Sequence, residues 1–300
     1  MYFAHMHPFQ QLCRPYTLLA PGVGIVCGAL LAWTQAESAV SSGHRLLLIG
    51  IAMLSAMVLN AASNIINEIY DLDIDRINKP ERPLPSGTVS IRTAMVYSVS
   101  LYGLSLILAA WINLNFFVLV AMAALATLIY SAPPLRTKRH WLWAALTIAI
   151  PRGVLLKVAG WSVLGSIDQA EPWLIGSVYG FFLLGASATK DFSDIEGDAS
   201  HGCRTLPVRF GVHTAAWIIA PFFFLPFLLL PVGVYFDWFT GFSWLINFLG
   251  IAMCLWGAYV VYLILHNPQA LASTENHPSW KHMYLMMMVS QIVLCIAYLV

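Results

Sequence analysis

NEIYDLDIDRINKPERPLPSG, from Asn67 to Gly87, follows directly on a long apolar segment and packs five acids, two amides and three basic residues (Arg76, Lys79, Arg82) into one run. Carried on as a helix, Asn67, Asp71 and Asp75 fall at i, i+4 and i+8, a rotation of about 80° in all, so the three side chains share one face. Glu68 and Asp73 point elsewhere. An amide and two carboxylates one turn apart offer only oxygen, which suits a hard divalent cation; Mg2+, which keeps waters and phosphate oxygens in its shell, is the natural candidate. A bland reading makes the run a solvated helix end, with the turn chemistry of Lys79-Pro80 and Pro83-Leu84-Pro85-Ser86-Gly87 behind it. A calcium loop fails in detail, since one starting at Asp71 requires glycine at the position of Arg76 and glutamate at that of Arg82.

The pattern recurs, and that decides against the bland reading. Another apolar segment runs into KDFSDIEGD, from Lys190 to Asp198. Asp191, Asp194 and Asp198 sit at i, i+3 and i+7, within about 60° of one face. Nine of the chain's 14 acids lie in these two runs, in a chain that is only 10% charged. One site built from two halves is the implication. Asp71, Asp75, Asp194 and Asp198 are the candidate catalytic acids, and Asn67 and Asp191 join them as candidate metal ligands.

The medium is read from composition. At 59% hydrophobic residues and a mean hydropathy of +0.75, the 300-residue chain is not a soluble protein with a polar surface. Apolar runs near 20 residues imply bilayer spans. They are predicted at 16–34, 45–67, 92–113, 115–130, 141–164, 172–190, 212–235, 243–265 and 282–300. The 115–130 run is the shortest, and Pro151 divides the 141–164 run. The expected fold is all-α: a polytopic membrane protein of about nine transmembrane helices in one bundle, a single domain over 1–300 with no polar linker. Twelve of the 15 Lys and Arg fall in loops on the N-terminal side, whereas the opposite loops hold Arg45 beside Glu37, Asp168, Glu171 and Asp237. By the positive-inside rule both acidic runs face the cytoplasm. The near-neutral net charge of +1 argues against a bulk nucleic-acid role. The first run reads as an uncleaved span, its apolar length exceeding a signal core. The five cysteines lack metal spacing and read as reduced packing residues; His5 and His7 read as a solvated tail.

Other cations complete the picture. In YSAPPLRTKRH, Tyr130 to His140, Arg136 and Lys138 stand on the face that already gathers the acids, where cations stabilise charge developing on a leaving group. Arg14, Lys79, Arg82 and Lys190 are further candidates for that clamp. Arg152 and Lys157 lie within the fifth predicted span. Ionisable groups at depth face a bundle interior or a cavity. Arg152 reads as a cavity residue contacting substrate, whereas Lys157 divides evenly between that and snorkelling to the interface. A secondary transporter also carries intramembrane charges, but places its acids at the midplane on broken helices. Here they sit at span ends among phosphate-binding bases, which favours an enzyme.

These residues together resemble the intramembrane prenyltransferases of the UbiA superfamily. N-x-x-x-D-x-x-x-D is matched by Asn67, Asp71 and Asp75, R-P-[IL]-P-S-G by Arg82 to Gly87, D-x-x-x-D by Asp194 and Asp198, and Y-S-x-P-P-x-R-x-K by Tyr130 to Lys138. The order and spacing agree over essentially the whole chain. The resemblance implies Mg2+ held on a polyprenyl diphosphate by the two acidic faces, with Arg82, Lys138, Lys190 and Arg136 on its oxygens. Ionisation then gives an allylic cation, steadied by Tyr130, that an electron-rich acceptor attacks while the tail lies in the bundle. D-R-I-N-K-P (75–80), P-R-G-V-L-L (151–156) and K-D-F-S-D-I-E-G-D resemble the homogentisate prenyltransferases, although Phe192-Ser193 replaces their Ile-Pro. R-P-L-P-S-G looks more like the chlorophyll-synthase, archaeal glycerol-lipid or hydroxybenzoate branches. A small aromatic acceptor, of quinone or tocopherol type, is the expectation, with chlorophyllide-like or glycerol-phosphate acceptors as the alternative.

Overall fold

Backbone N–H and C=O groups find no partner in hydrocarbon, so apolar runs of this length fold as helices that satisfy themselves. The computed structural model describes residues 6–36, 41–273 and 277–300; His5 and Glu37 lie outside them. Among the described residues nine helices are long and apolar enough to cross a membrane. They are α1 (Pro8–Leu31), α2 (Ser42–Tyr70), α3 (Ile91–Ala110), α4 (Leu114–Ser131), α5 (Trp141–Ser162), α6 (Ala170–Phe192), α7 (Val212–Tyr235), α8 (Ser243–His266) and α9 (Pro278–Leu299). Each packs on the next, α9 returns to α1, and α5 also lies against α1, so the bundle closes as a ring. The protein is a multi-pass integral membrane protein.

Caps explain where several helices begin. Ser41 Oγ accepts from His44 N, Ser90 Oγ from Thr93 N at 3.1 Å, and Asn113 Oδ1 from Phe116 N at 2.8 Å. The Asn113 amide also donates to Ser162 O at 2.7 Å, which ties the hairpin between α3 and α4 to the far end of α5. The shortest predicted span is real, as α4. On that same side of the bundle Glu171 is buried, accepting from Thr240 N at 2.7 Å and from the Tyr298 hydroxyl, so a loop and the end of α9 are fastened to the start of α6.

Two spans depart from regular helices. α1 bends at Arg14, whose backbone is left-handed (φ 52°, ψ 67°) between Pro8–Cys13 and Pro15–Leu18. In α5 the proline at 151 does not end the helix. Ile150–Leu155 winds as a wider π turn, and the span then resumes. Glycine is required here for close approach: a Cβ on Gly153 would lie 2.4 Å from Gly180 Cα in α6. Lys157 does not snorkel. It is 3% exposed, its ammonium contacts Gly24 O and Gln291 Oε1 and stands 4.6 Å from the Tyr179 ring centroid, so local acceptors and an aromatic face satisfy it at depth.

Candidate active site

The first acidic run is not one continuous helix. α2 stops at Tyr70, Asp71 leaves the helical region (φ −102°, ψ 9°), and Leu72–Asn78 takes up again. The break is one residue wide. Asp71 N still donates to Asn67 O at 2.9 Å and Asp75 N to Asp71 O at 2.8 Å, so the rotation between the three side chains is nearly preserved. The second run is likewise not a plain helix: α6 tightens into a 3-10 turn at Thr189–Phe192, and Asp194 stands just before the short helix Ile195–Ser200. Beyond it Gly202 turns with φ +72°, a left-handed position that favours glycine. The chain then returns beside the 132–140 loop, Arg204 N donating to Arg139 O and Trp141 N to Arg204 O. This pairing carries Lys138 to the second acidic run.

One chamber results. It is lined by Arg14, Asn67, Asp71, Asp75, Lys79, Arg82, Tyr130, Lys138, Lys190, Asp191, Asp194 and Asp198. Two expected residues are not on its wall. Arg136 stands behind it, donating to Tyr70 O at 2.9 Å, where it caps α2, and to Asp71 at 3.3 Å. Arg152 lies apart, exposed, with Nη2 3.2 Å from Asn60 Oδ1. Ile74, Ala144, Gly197, Cys203 and Thr205 also line the chamber. They carry no charge, so an argument from charge clusters passes over them; for Thr205 the one available signal is its place just after the second run.

The two acidic halves differ electrically. Asp71 accepts from Asn67 Nδ2 at 2.9 Å and pairs with Lys138 and Arg136, while Asp75 pairs with Arg82 at 2.6 Å. Among the described residues no ion pair involves Asp191, Asp194 or Asp198. Burial, then the charge of Asp194, pushes the Asp198 carboxyl up to about 6. Burial pulls the Lys138 ammonium down to about 8. Asp73 faces away from the chamber, 83% exposed and paired with Arg76. Glu68, in contrast, is buried against Arg14.

The donor set fits Mg2+: an amide and five carboxylates, all oxygen, lining one chamber. Among the described residues no three acidic, histidine or cysteine side chains close into a ready-made metal cage.

An oxygen-lined, cation-rimmed chamber at one end of an apolar ring of nine helices defines a membrane protein whose polar chemistry is done at the edge of the bilayer. Residues 23–287 match the model of the UbiA prenyltransferase family, and the chain belongs to that family. It is 33% identical over 219 residues to the chloroplastic chlorophyll synthase of Oryza sativa subsp. japonica, a match covering 69% of this chain and 56% of that one. The chain thus spans little more than half the length of that relative. With the digeranylgeranylglyceryl phosphate synthase of Thermococcus kodakarensis it shares 32% identity over 236 residues, covering 75% of this chain and 78% of the other. The fold is that of a UbiA homologue from Archaeoglobus fulgidus solved bound to GPP and Mg2+, with a TM-score of 0.75, 22% identity and coverage of 98% and 100%.

Proposed function

We propose that this protein transfers a polyprenyl group from a polyprenyl diphosphate to an acceptor held in the membrane, in a Mg2+-dependent reaction through an allylic carbocation. The observation that carries the reading is the convergence of two acidic runs and five cations on one chamber. Asn67, Asp71, Asp75, Asp191, Asp194 and Asp198 would hold the metal, which when bound supplies positive charge to the departing diphosphate. Arg14, Lys79, Arg82, Lys138 and Lys190 surround the diphosphate oxygens and neutralise charge as the C–O bond breaks. Arg136 keeps Asp71 in place from behind. Tyr130, on the chamber wall at the end of α4, offers a ring face to the allylic cation. The apolar interior takes the tail.

Arg152, outside the chamber lining and bonded to Asn60, serves the acceptor. Its guanidinium suits a carboxylate or phenolate, consistent with an electron-rich aromatic acceptor of the quinone or tocopherol type. A second reading has its own support: the relatives above are named for chlorophyll and for an isoprenoid glyceryl phosphate, which favours a non-phenolic acceptor. Membranes given labelled geranylgeranyl diphosphate and a panel of hydroxybenzoate, homogentisate, chlorophyllide and geranylgeranylglyceryl phosphate separate these readings. Labelled product from an aromatic ring supports the first, and product from the last two alone rejects it. In either case Arg152→Lys raises the acceptor's KM by about tenfold and the donor's far less, because a bidentate fork is lost while the charge stays. A selective loss of donor affinity would place Arg152 in the diphosphate clamp.

The excess of basic residues in the loops at the chamber end supports a cytoplasmic position for it. Cysteines placed at 78–88 or 199–205 react with impermeant reagents from the cytoplasmic side, and one at Asp168 reacts only from the other. The reverse labelling pattern overturns this orientation.

A further inference from the structure

Beside the acidic row of α2 runs a second polar row that lies outside the chamber. Asn60, Asn64 and Glu68 recur at i, i+4 and i+8 on the ridge next to that of Asn67, so that Glu68 is turned about 100° from Asn67 at nearly the same height. All three hold the bend in α1. The Asn60 amide donates to Thr17 O at 3.1 Å, and the Asn64 amide to Cys13 O at 2.9 Å and Thr17 Oγ1 at 2.8 Å. Glu68 Oε2 accepts from Arg14 Nη2 at 3.4 Å. Arg14 is the residue at the bend itself, in a left-handed conformation that non-glycine residues seldom take, and its side chain lines the chamber.

Glu68 is 1% exposed, and its second oxygen is buried without a hydrogen-bond partner. Among the described residues its one ion pair is with Arg14, so it is placed to orient that side chain. We propose that Glu68 is a positioning residue for the donor: it fixes one edge of the Arg14 guanidinium so that the remaining N–H donors are presented to the diphosphate. Asn60 and Asn64 hold the strained backbone from which that arginine springs. The same row reaches the other substrate, since Asn60 Oδ1 accepts from Arg152. Two turns of α2, a rise of about 12 Å from Asn60 to Glu68, thereby set the distance between the donor-side and acceptor-side arginines.

This inference rests on the chamber being a prenyl diphosphate site, and its test keeps the two apart. Full-length protein purified in detergent with Mg2+ is titrated with geranyl diphosphate by calorimetry, and kinetic constants and thermal midpoints are measured alongside. Glu68→Gln keeps the shape and removes the charge. Expected is about tenfold weaker binding of geranyl diphosphate and an equal rise in the donor's KM, with kcat changed by less than about twofold. In an Arg14→Gln background the same substitution adds less than about twofold, because the residue through which it acts is gone. Glu68→Asp, which keeps the charge but draws it back by one methylene, shows a smaller loss of donor affinity at unchanged kcat and decides the matter should Glu68→Gln fail to fold. Unchanged donor affinity, additive losses in the double variant, or a fall in kcat at constant donor KM each overturn the role given to Glu68. Wild-type protein that binds no geranyl diphosphate rejects the prenyl-transfer reading itself, and this one with it, before any substitution is made.

Discussion

Asp71→Ala is expected to reduce prenyl transfer by about a thousandfold while the protein remains in the membrane. Asp71 is the most heavily engaged acid of the chamber: Asn67, Arg136 and Lys138 all direct donors at it. Removing it takes one oxygen from the set proposed to hold the metal. It also leaves Lys138, only 9% exposed, and Arg136 without their counter-charge, so Lys138, a member of the proposed clamp, loses the partner that positions it. Both losses fall on the step in which negative charge gathers on the departing group. Asp73→Ala is the control. That side chain lies two residues away, outside the chamber and paired only with exposed Arg76, and its loss is expected to leave turnover within about twofold. Product formation from labelled geranylgeranyl diphosphate, at matched protein levels in membranes, compares the two. Equal damage at Asp73 and Asp71 would mean that the wall facing the diphosphate has been misassigned.

Chelation is expected to act as strongly as any substitution. With excess EDTA turnover falls below about 1% of its starting value, and added Mg2+ restores it. The physical ground lies in the second acidic run. Asp191, Asp194 and Asp198 stand on one wall with no ion pair among the described residues, and Asp194 helps to hold the Asp198 proton up to about 6. A diphosphate carries negative charge of its own, and it would face that wall with only the chamber's lysines and arginines between. A divalent cation resolves the repulsion and favours the ionised form of Asp198. Full turnover in EDTA would reject the metal-bridged reading while leaving the fold untouched.

Much of this was legible before any coordinates. Nine apolar runs match nine helices among the described residues because lipid leaves the backbone no other regular solution short of a barrel. The periodicity of Asn67, Asp71 and Asp75 placed them on one wall even though the helix breaks at Asp71, since the hydrogen bonds on either side carry the winding across. Charge pointed to the acids and to five of the cations that line the chamber for the same reason: a charge near lipid has few places to go. Contacts between distant segments were less legible. Nothing local tells that the return strand at Arg204 pairs with Arg139 and so delivers Lys138 to the second run. Glu68 was set aside because it points away from the metal face; that it points at Arg14 depends on the bend in α1, which spacing does not reveal. Lys157 was undecided for a similar reason, its partner Gln291 lying far along the chain on α9.

The wide turn at Ile150–Leu155 has a consequence of another kind. A turn that closes i to i+5 accommodates one residue more than a regular one, so the helix before it stands about 100° out of step with where even winding would put it. Arg152 sits inside that turn, whereas Lys157 lies beyond it, anchored in a separate polar knot. Loss of a single codon here would rewind the segment and swing Arg152 off Asn60, with every side-chain type around it unchanged. The direction in which Arg152 faces is therefore written in the length of the chain at this point, and an indel there can redirect it where no point substitution can.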